Sequence, residues 1–124
     1  MSEQADLLKA RTMRFALDVC ALIKHLPHEE PGPTVKRQLA KSSTGLAFNY
    51  RASCRARSHA EFTAKIGLVA EEADETQGWL EFIESGRLIT SPDVERLLTE
   101  STELSAIMSA SVGTARYKER NKSR

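Results

Sequence analysis

Apolar side chains recur along most of this chain at alternating intervals of three and four residues, the spacing that gathers them on one side of an α-helix. Leu8, Thr12, Phe15, Val19, Leu22 and Leu26 form the first stripe and predict a helix over about residues 4–26. Pro27 ends it, and the stretch from His28 to Pro33, with Pro31, Gly32 and Pro33, reads as a connector. A second helix, about 34–56, starts at Thr34. It carries Val35, Leu39, Ser42, Leu46 and Asn49 on one stripe, with Ser43, Ala47, Tyr50 and Cys54 beside it. Ser42, Ser43, Thr44, Gly45 and Asn49 are poor helix formers, so this element relies on close packing of small residues against a neighbour.

Ser58 and Glu61 have the spacing of a capping box and open a third helix over 59–85. Phe62, Ile66, Val69, Ala73, Thr76, Leu80 and Ile83 follow at steps of 4, 3, 4, 3, 4 and 3, and Gly86 is placed to cap the end. Ser91, Pro92 and Asp93 supply a hydroxyl cap, a first-turn proline and an acid at the positive end of the helix dipole for a fourth helix over 92–115. Its apolar side is Val94, Leu97 or Leu98, Leu104, Ile107, Met108 and Val112. Residues 117–124 lack apolar side chains after Tyr117 and predict a charged, disordered tail. Short connections make successive helices antiparallel, so the expected fold is all-α: one antiparallel, up-down-up-down four-helix bundle over residues 1–116.

Composition agrees with one modest core. In a chain of 124 residues, folding removes roughly two thirds of the extended surface from water. Aromatic residues are only 6%, leaving the interior to Leu, Ile, Val and Ala. Cys20 and Cys54 lie inside helical patterns, far from any Cys-x-x-Cys spacing, and read as small buried hydrophobes rather than disulfide or zinc residues. The first residues, Met-Ser-Glu-Gln-Ala-Asp, carry acids where a signal peptide carries bases. No apolar run approaches the roughly 18 residues of a membrane span, so a cytoplasmic location with no membrane partner is expected.

Catalytic and metal chemistry find little support. A carboxylate-bridged dimetal bundle needs Glu-x-x-His pairs, and none occurs. His25, His28 and His59 fall at helix ends or in the connector, and Pro27 breaks the helix that would align the first two. Phosphate-binding and nucleotide-binding glycine motifs and the nucleophile elbow are missing from the sequence. Glu72 and Glu75 form a carboxylate pair without a histidine, an arrangement that more often meets arginines. The expectation is a non-enzyme with no cofactor and no metal.

Charge changes the picture more. The net charge is +1, yet residues 31–60 hold Lys36, Arg37, Lys41, Arg51, Arg55 and Arg57 with no acid. Residues 61–104 hold eleven acids against Lys65, Arg87 and Arg96, and the chain turns basic again after them. The basic block has two readings: pairing with the acids of the third helix, within or between subunits, or contact with nucleic acid. Opposite signs favour the first, and the lack of aromatics among the bases weighs against recognition of a single strand.

Gln38-Leu39 with Ser42, Asn49-Tyr50-Arg51, Ser58, Glu61-Phe62 with Lys65, Glu72-Ala73, Glu75-Thr76 and Trp79-Leu80 occur in the order and spacing of a known pattern. The segment over roughly residues 10–110 closely resembles the bacterial four-helix bundle protein family, first noted in proteins encoded by intervening sequences of 23S ribosomal RNA genes. The resemblance implies a left-handed bundle assembled with itself as a homopentamer in the bacterial cytosol, with a protein partner or nucleic acid as its further partner. One branch of the family, the accessory variability protein of diversity-generating retroelements, binds nucleic acid and the reverse transcriptase. Ala52 and Ser53 depart from the family's usual Glu-Ala after Asn-Tyr-Arg, which removes an acid beside Arg51 and Arg55. Asn49, on the inner stripe of helix two, is expected to meet Glu72, Glu75 or Thr76 in a buried polar network. Trp79 is expected to cover the core or anchor an interface, and Arg51 joins these residues as a candidate interface contact.

Overall fold

A computed structural model describes residues 2–122. Helix α1 (Glu3–Leu22) ends in a 3₁₀ turn (Ile23–His25) and is followed by α2 (Gly32–Ser53), α3 (His59–Gly86) and α4 (Pro92–Lys122). No strand occurs among the described residues. The chain is an all-α four-helix bundle.

Packing follows chain order. α2 lies between α1 and α3, α3 between α2 and α4, and α1 closes the bundle against α4 through a narrower contact, leaving α1 and α3 on a diagonal. Ser42 meets Thr76 and Gly45 meets Glu72, so numbers rising along α2 meet numbers falling along α3. α1 and α4 are antiparallel in the same way, with Arg11 on Glu100 and Asp18 on Arg96. So are α3 and α4, where His59 meets Ala115 and Ala70 shares a groove with Ser109.

The predicted stripes form the interior. Phe15, Val19, Val35, Leu39, Leu46, Ile66, Val69, Leu80, Ile83, Leu97, Leu104 and Met108 are buried almost completely. Thr12, Ser42, Ser43, Thr76 and Ser101 are buried with them, each in steps of three or four from its apolar neighbours. Burying a hydroxyl costs free energy unless it is hydrogen-bonded. Here Thr12 bonds the Leu8 carbonyl at 2.9 Å, and Thr76 lies 2.8 Å from the Glu72 carbonyl and 2.9 Å from Ser42 Oγ.

Helix ends differ from the sequence expectation in several places. α2 starts at Gly32 rather than Thr34, because Pro33 in the first turn needs no donor and the Glu30 carboxylate accepts from both the Thr34 amide (3.1 Å) and hydroxyl (2.8 Å). A Cβ at residue 32 would overlap the Pro27 carbonyl, so this close approach requires glycine. Ser58 caps α3 as predicted, accepting from the Glu61 amide at 3.1 Å, while the Glu61 carboxylate reaches the Arg57 amide instead of completing the box. Residues 117–122, expected in a disordered tail, continue α4 to Lys122, since Arg116, Lys118, Glu119 and Arg120 are good helix formers and no breaker follows. Ser123 and Arg124 of that tail lie outside the described residues. Cys20 and Cys54 are free thiols only half-buried.

α3 ends in a Schellman turn. Leu88 N–H donates to the Ile83 carbonyl and Arg87 N–H to that of Glu84, with the left-handed position occupied by Arg87 (φ 51°) rather than by Gly86. A left-handed conformation costs a non-glycine residue roughly 1–2 kcal/mol. Arg87→Gly is expected to raise stability by about 1 kcal/mol, read as a higher melting temperature with unchanged helicity; a lower melting temperature would show that the Arg87 side chain contributes more than the strain.

The α1–α4 seam is joined by charge. Arg11 grips Glu100 in a bidentate fork, Nε to Oε2 at 2.7 Å and Nη2 to Oε1 at 2.6 Å, with Glu103 at 3.3 Å. Hydrogen bonding and charge from Arg11 hold the Glu100 carboxyl below its ordinary range despite partial burial. The folded state therefore favours ionised Glu100, and the contribution is complete at neutral pH and lost as pH falls through the folded-state value. Glu100→Gln is expected to cost about 1 kcal/mol at neutral pH, allowing for solvent screening, with the difference from the parent vanishing in acid denaturation once pH falls below the lowered folded-state value.

Candidate functional site

The residues singled out by sequence converge on the outer side of the α2–α3 seam. Gln38, Lys41, Gly45, Asn49 and Ala52 follow one another at steps of three and four along α2. Lys65, Leu68, Glu72, Glu75, Trp79 and Phe82 do the same along α3. Gly45 opposes Glu72, whose carboxylate occupies the space a Cβ there would take.

Asn49, Glu72 and Trp79 are half-buried and Glu75 is exposed. Asn49 makes no side-chain hydrogen bond among the described residues, so the buried amide network expected there is replaced by Ser42 and Thr76 one layer deeper. The reason is angular: Asn49 sits at the edge of the inner stripe, whereas Ser42 lies at its centre. Trp79 packs at the margin of the core, and its ring stands edge-on to Phe82 at 5.6 Å and 72°. Burial raises the Glu72 carboxyl above its ordinary range, as do Glu75 and Glu71 beside it, against an opposing pull from Lys41.

Arg51 leaves this group. It belongs to the outward stripe Arg37, Lys41, Thr44, Phe48, Arg51 and Arg55, whose steps are 4, 3, 4, 3 and 4. Lys36, Arg37, Lys41, Arg51, Arg55 and Arg57 are all exposed. Among the described residues, their single ion pair is Arg57 with Glu61 at 3.8 Å, one turn along the chain. Pairing of this block with the acids of α3 inside the subunit is thus almost absent. Phe48, 57% exposed, stands within the basic stripe, so an aromatic is interleaved with the bases after all. Its spacing of seven residues from both Lys41 and Arg55 was the available signal.

Other chemistry is sparse. His59 lies 3.0 Å from the Ala115 carbonyl, which can only accept, so the imidazole donates from Nε2 and pins the start of α3 to α4. The neighbouring groove, about 730 Å³, is lined by His59 with Ser2, Phe62, Ile107, Thr114 and Lys118. Among the described residues, no three His, Cys, Asp or Glu side chains are grouped to hold a metal ion, and no helix is long and apolar enough to cross a membrane. Sequence reasoning missed the Arg11–Glu100 fork, since no local pattern relates residues so far apart. It also passed over Leu7, Leu17, Leu68 and Phe82, which remain 46–64% exposed on the outside of α1 and α3.

Residues 7–110 match the family described as 23S rRNA-intervening sequence protein. Among solved structures, the chain is similar to a protein of unknown function from the S23 ribosomal protein family of Bacteroides thetaiotaomicron. The two share 29% identity over 84% of this chain and 96% of the other, with a TM-score of 0.75. A search of curated proteins gives no match.

The Glu72 environment has a measurable consequence. Its raised value means the folded state penalises the ionised carboxylate, a penalty present at neutral pH and relieved as pH falls below the ordinary carboxylate value. Glu72→Gln is expected to stabilise the subunit by about 0.5 kcal/mol at pH 7, with the gain disappearing near pH 4 in urea unfolding. A loss of stability would mean that the carboxylate has a favourable partner.

Proposed function

This chain belongs to the 23S rRNA-intervening sequence protein family, and from that premise we propose that it is a non-enzymatic helical scaffold or adaptor, working in the cytoplasm as an assembly of identical subunits. The observation carrying this reading is the outward row of Leu7 and Leu17 on α1 and of Leu68 and Phe82 on α3, all exposed and regularly spaced. Large apolar side chains repeated at helical spacing on a solvent face mark a surface that is covered in use. The unmatched charge blocks of α2 and α3 support it further. The family resemblance sets the expected number of subunits at five.

A second role rests on a separate observation. The stripe of Arg37, Lys41, Phe48, Arg51 and Arg55 combines cations that attract phosphates with an aromatic ring on which a base stacks. Repetition in an assembly multiplies such attraction. The scaffold would then present nucleic acid with several copies of one basic helix.

Light scattering coupled to size exclusion is expected to give about five times the 13.8 kDa subunit mass. A mass of one subunit at both low and high salt would overturn the scaffold reading. The same column run with a single-stranded oligonucleotide decides the second role: co-elution that salt abolishes supports it, and separate elution at low salt removes it.

A further inference from the structure

α1 and α3 each carry two stripes. The inner one enters the core. The outer one on α1 and the 3₁₀ turn that ends it is Leu7, Ala10, Arg14, Leu17, Ala21 and Lys24, and on α3 it is Leu68, Glu71, Glu75, Gly78, Phe82 and Ser85. Both run at steps of 3, 4, 3, 4 and 3, and every one of these residues is exposed. A sustained spacing of this kind is the seam of a two-helix coiled contact. We propose that the outer stripe of α1 packs in parallel against the outer stripe of α3 in a second copy of this chain, which names the faces used in the self-association proposed above and rests on it.

Three observations carry the pairing. The first is topology: both helices are antiparallel to α2, so they run the same way, and they lie on a diagonal, which puts the outer stripes on opposite sides of the subunit. One side of each copy therefore meets the other side of the next, a heterologous contact that closes into a ring when the rotation allows.

The second is register. Ala5 lines a cavity with Tyr50 and Ser53, Ser42 is level with Thr76, and Asp18 is level with Arg96. Followed through α2 and α4, these contacts set residues of α1 and α3 at common heights to within about one helical turn, roughly 5 Å. With the copies side by side, Leu7 faces Leu68, Arg14 faces Glu75, Leu17 faces Gly78 and Ala21 faces Phe82. Apolar meets apolar, base meets acid and large meets small. The α1 stripe has two bases and no acid; the α3 stripe has two acids and no base.

The third is Gly78 itself. Glycine in mid-helix weakens the helix, and a Cβ at this position would meet nothing within 4 Å in the subunit. Nothing inside the bundle requires it, as nothing there requires Gly67 or Gly113, but of these three Gly78 lies on the outer stripe, where it leaves room for a neighbour's Leu17 over the α3 backbone.

Full-length variants test the pairing, with far-UV circular dichroism confirming that each stays helical. Arg14→Glu, Glu75→Arg and Gly78→Leu are each expected to shift the light-scattering mass toward the 13.8 kDa subunit, and the double variant R14E/E75R to restore the parent mass. If the parent is an oligomer and the single variants keep its mass, or the double variant fails to restore it, the α1–α3 pairing is overturned while self-association stands. If the parent is a monomer, both fall, and the exposed stripes belong to a different protein partner.

Discussion

The bundle depends on how closely α2 approaches α3. Each helix contributes a small hydroxyl residue to the contact, Ser42 from α2 and Thr76 from α3, and both are buried. Gly45 leaves room for the Glu72 carboxylate, which a Cβ there would push aside. Small residues draw the backbones together, and dispersion between well-packed atoms then accumulates over the length of the contact. The Thr76 hydroxyl closes the gap by meeting Ser42 Oγ, so the polar atoms inside this contact are hydrogen-bonded rather than stranded. α2 is composed of weak helix formers over residues 42–45, and its packing against α3 offsets their low helix propensity.

The other seams are built differently. α1 meets α4 over a shorter contact, joined by the Arg11 fork on Glu100 and by Arg96 on Asp18. Such exposed or half-exposed pairs contribute less than burial of the apolar stripes, but they are directional and fix the height of α1 along α4. Glu72 acts in the opposite sense to Glu100: one carboxylate disfavours its charge in the folded state and the other favours it. Their dependences on pH offset each other in part, so acid weakens the bundle mainly at the α1–α4 seam.

Much of this fold was legible in the sequence because inner stripes and caps are local patterns. Thr12, Phe15, Val19 and Leu22 on α1, or Ile66, Val69, Ala73, Thr76, Leu80 and Ile83 on α3, needed only counting in threes and fours. The α3 cap at Ser58 and the α4 start at Pro92 were equally local. What escaped was angular or distant. Asn49 and Ser42 share one stripe, yet only the residue at its centre reaches the neighbouring hydroxyl, and spacing alone does not separate centre from edge. Arg11 and Glu100 lie at opposite ends of the chain. Phe48, overlooked among the bases, is outward because its steps follow Lys41 and Arg51 rather than Leu39 and Leu46. Of the candidate site, Asn49, Glu72, Glu75 and Trp79 do gather on one seam, whereas Arg51 belongs to the basic stripe.

A helix that presents regular apolar spacing on two opposite sides has more contacts to satisfy than a four-helix bundle provides. Among the described residues, α1 and α3 each turn two large apolar side chains outward, Leu7 with Leu17 and Leu68 with Phe82, whereas α2 exposes only Phe48 within a cationic stripe and α4 only Tyr117 among Glu95, Thr99, Thr102, Thr114 and Lys118. Since α1 and α3 occupy opposite corners, association through them extends the molecule along one line of neighbours and leaves α2 free on the outside of each copy. Closure of that line caps its size, because a heterologous contact that did not close would continue into a fibre. In the assembly proposed above the roles divide by helix: α1 and α3 would make the contacts between copies, and α2 would be left to carry what the assembly binds.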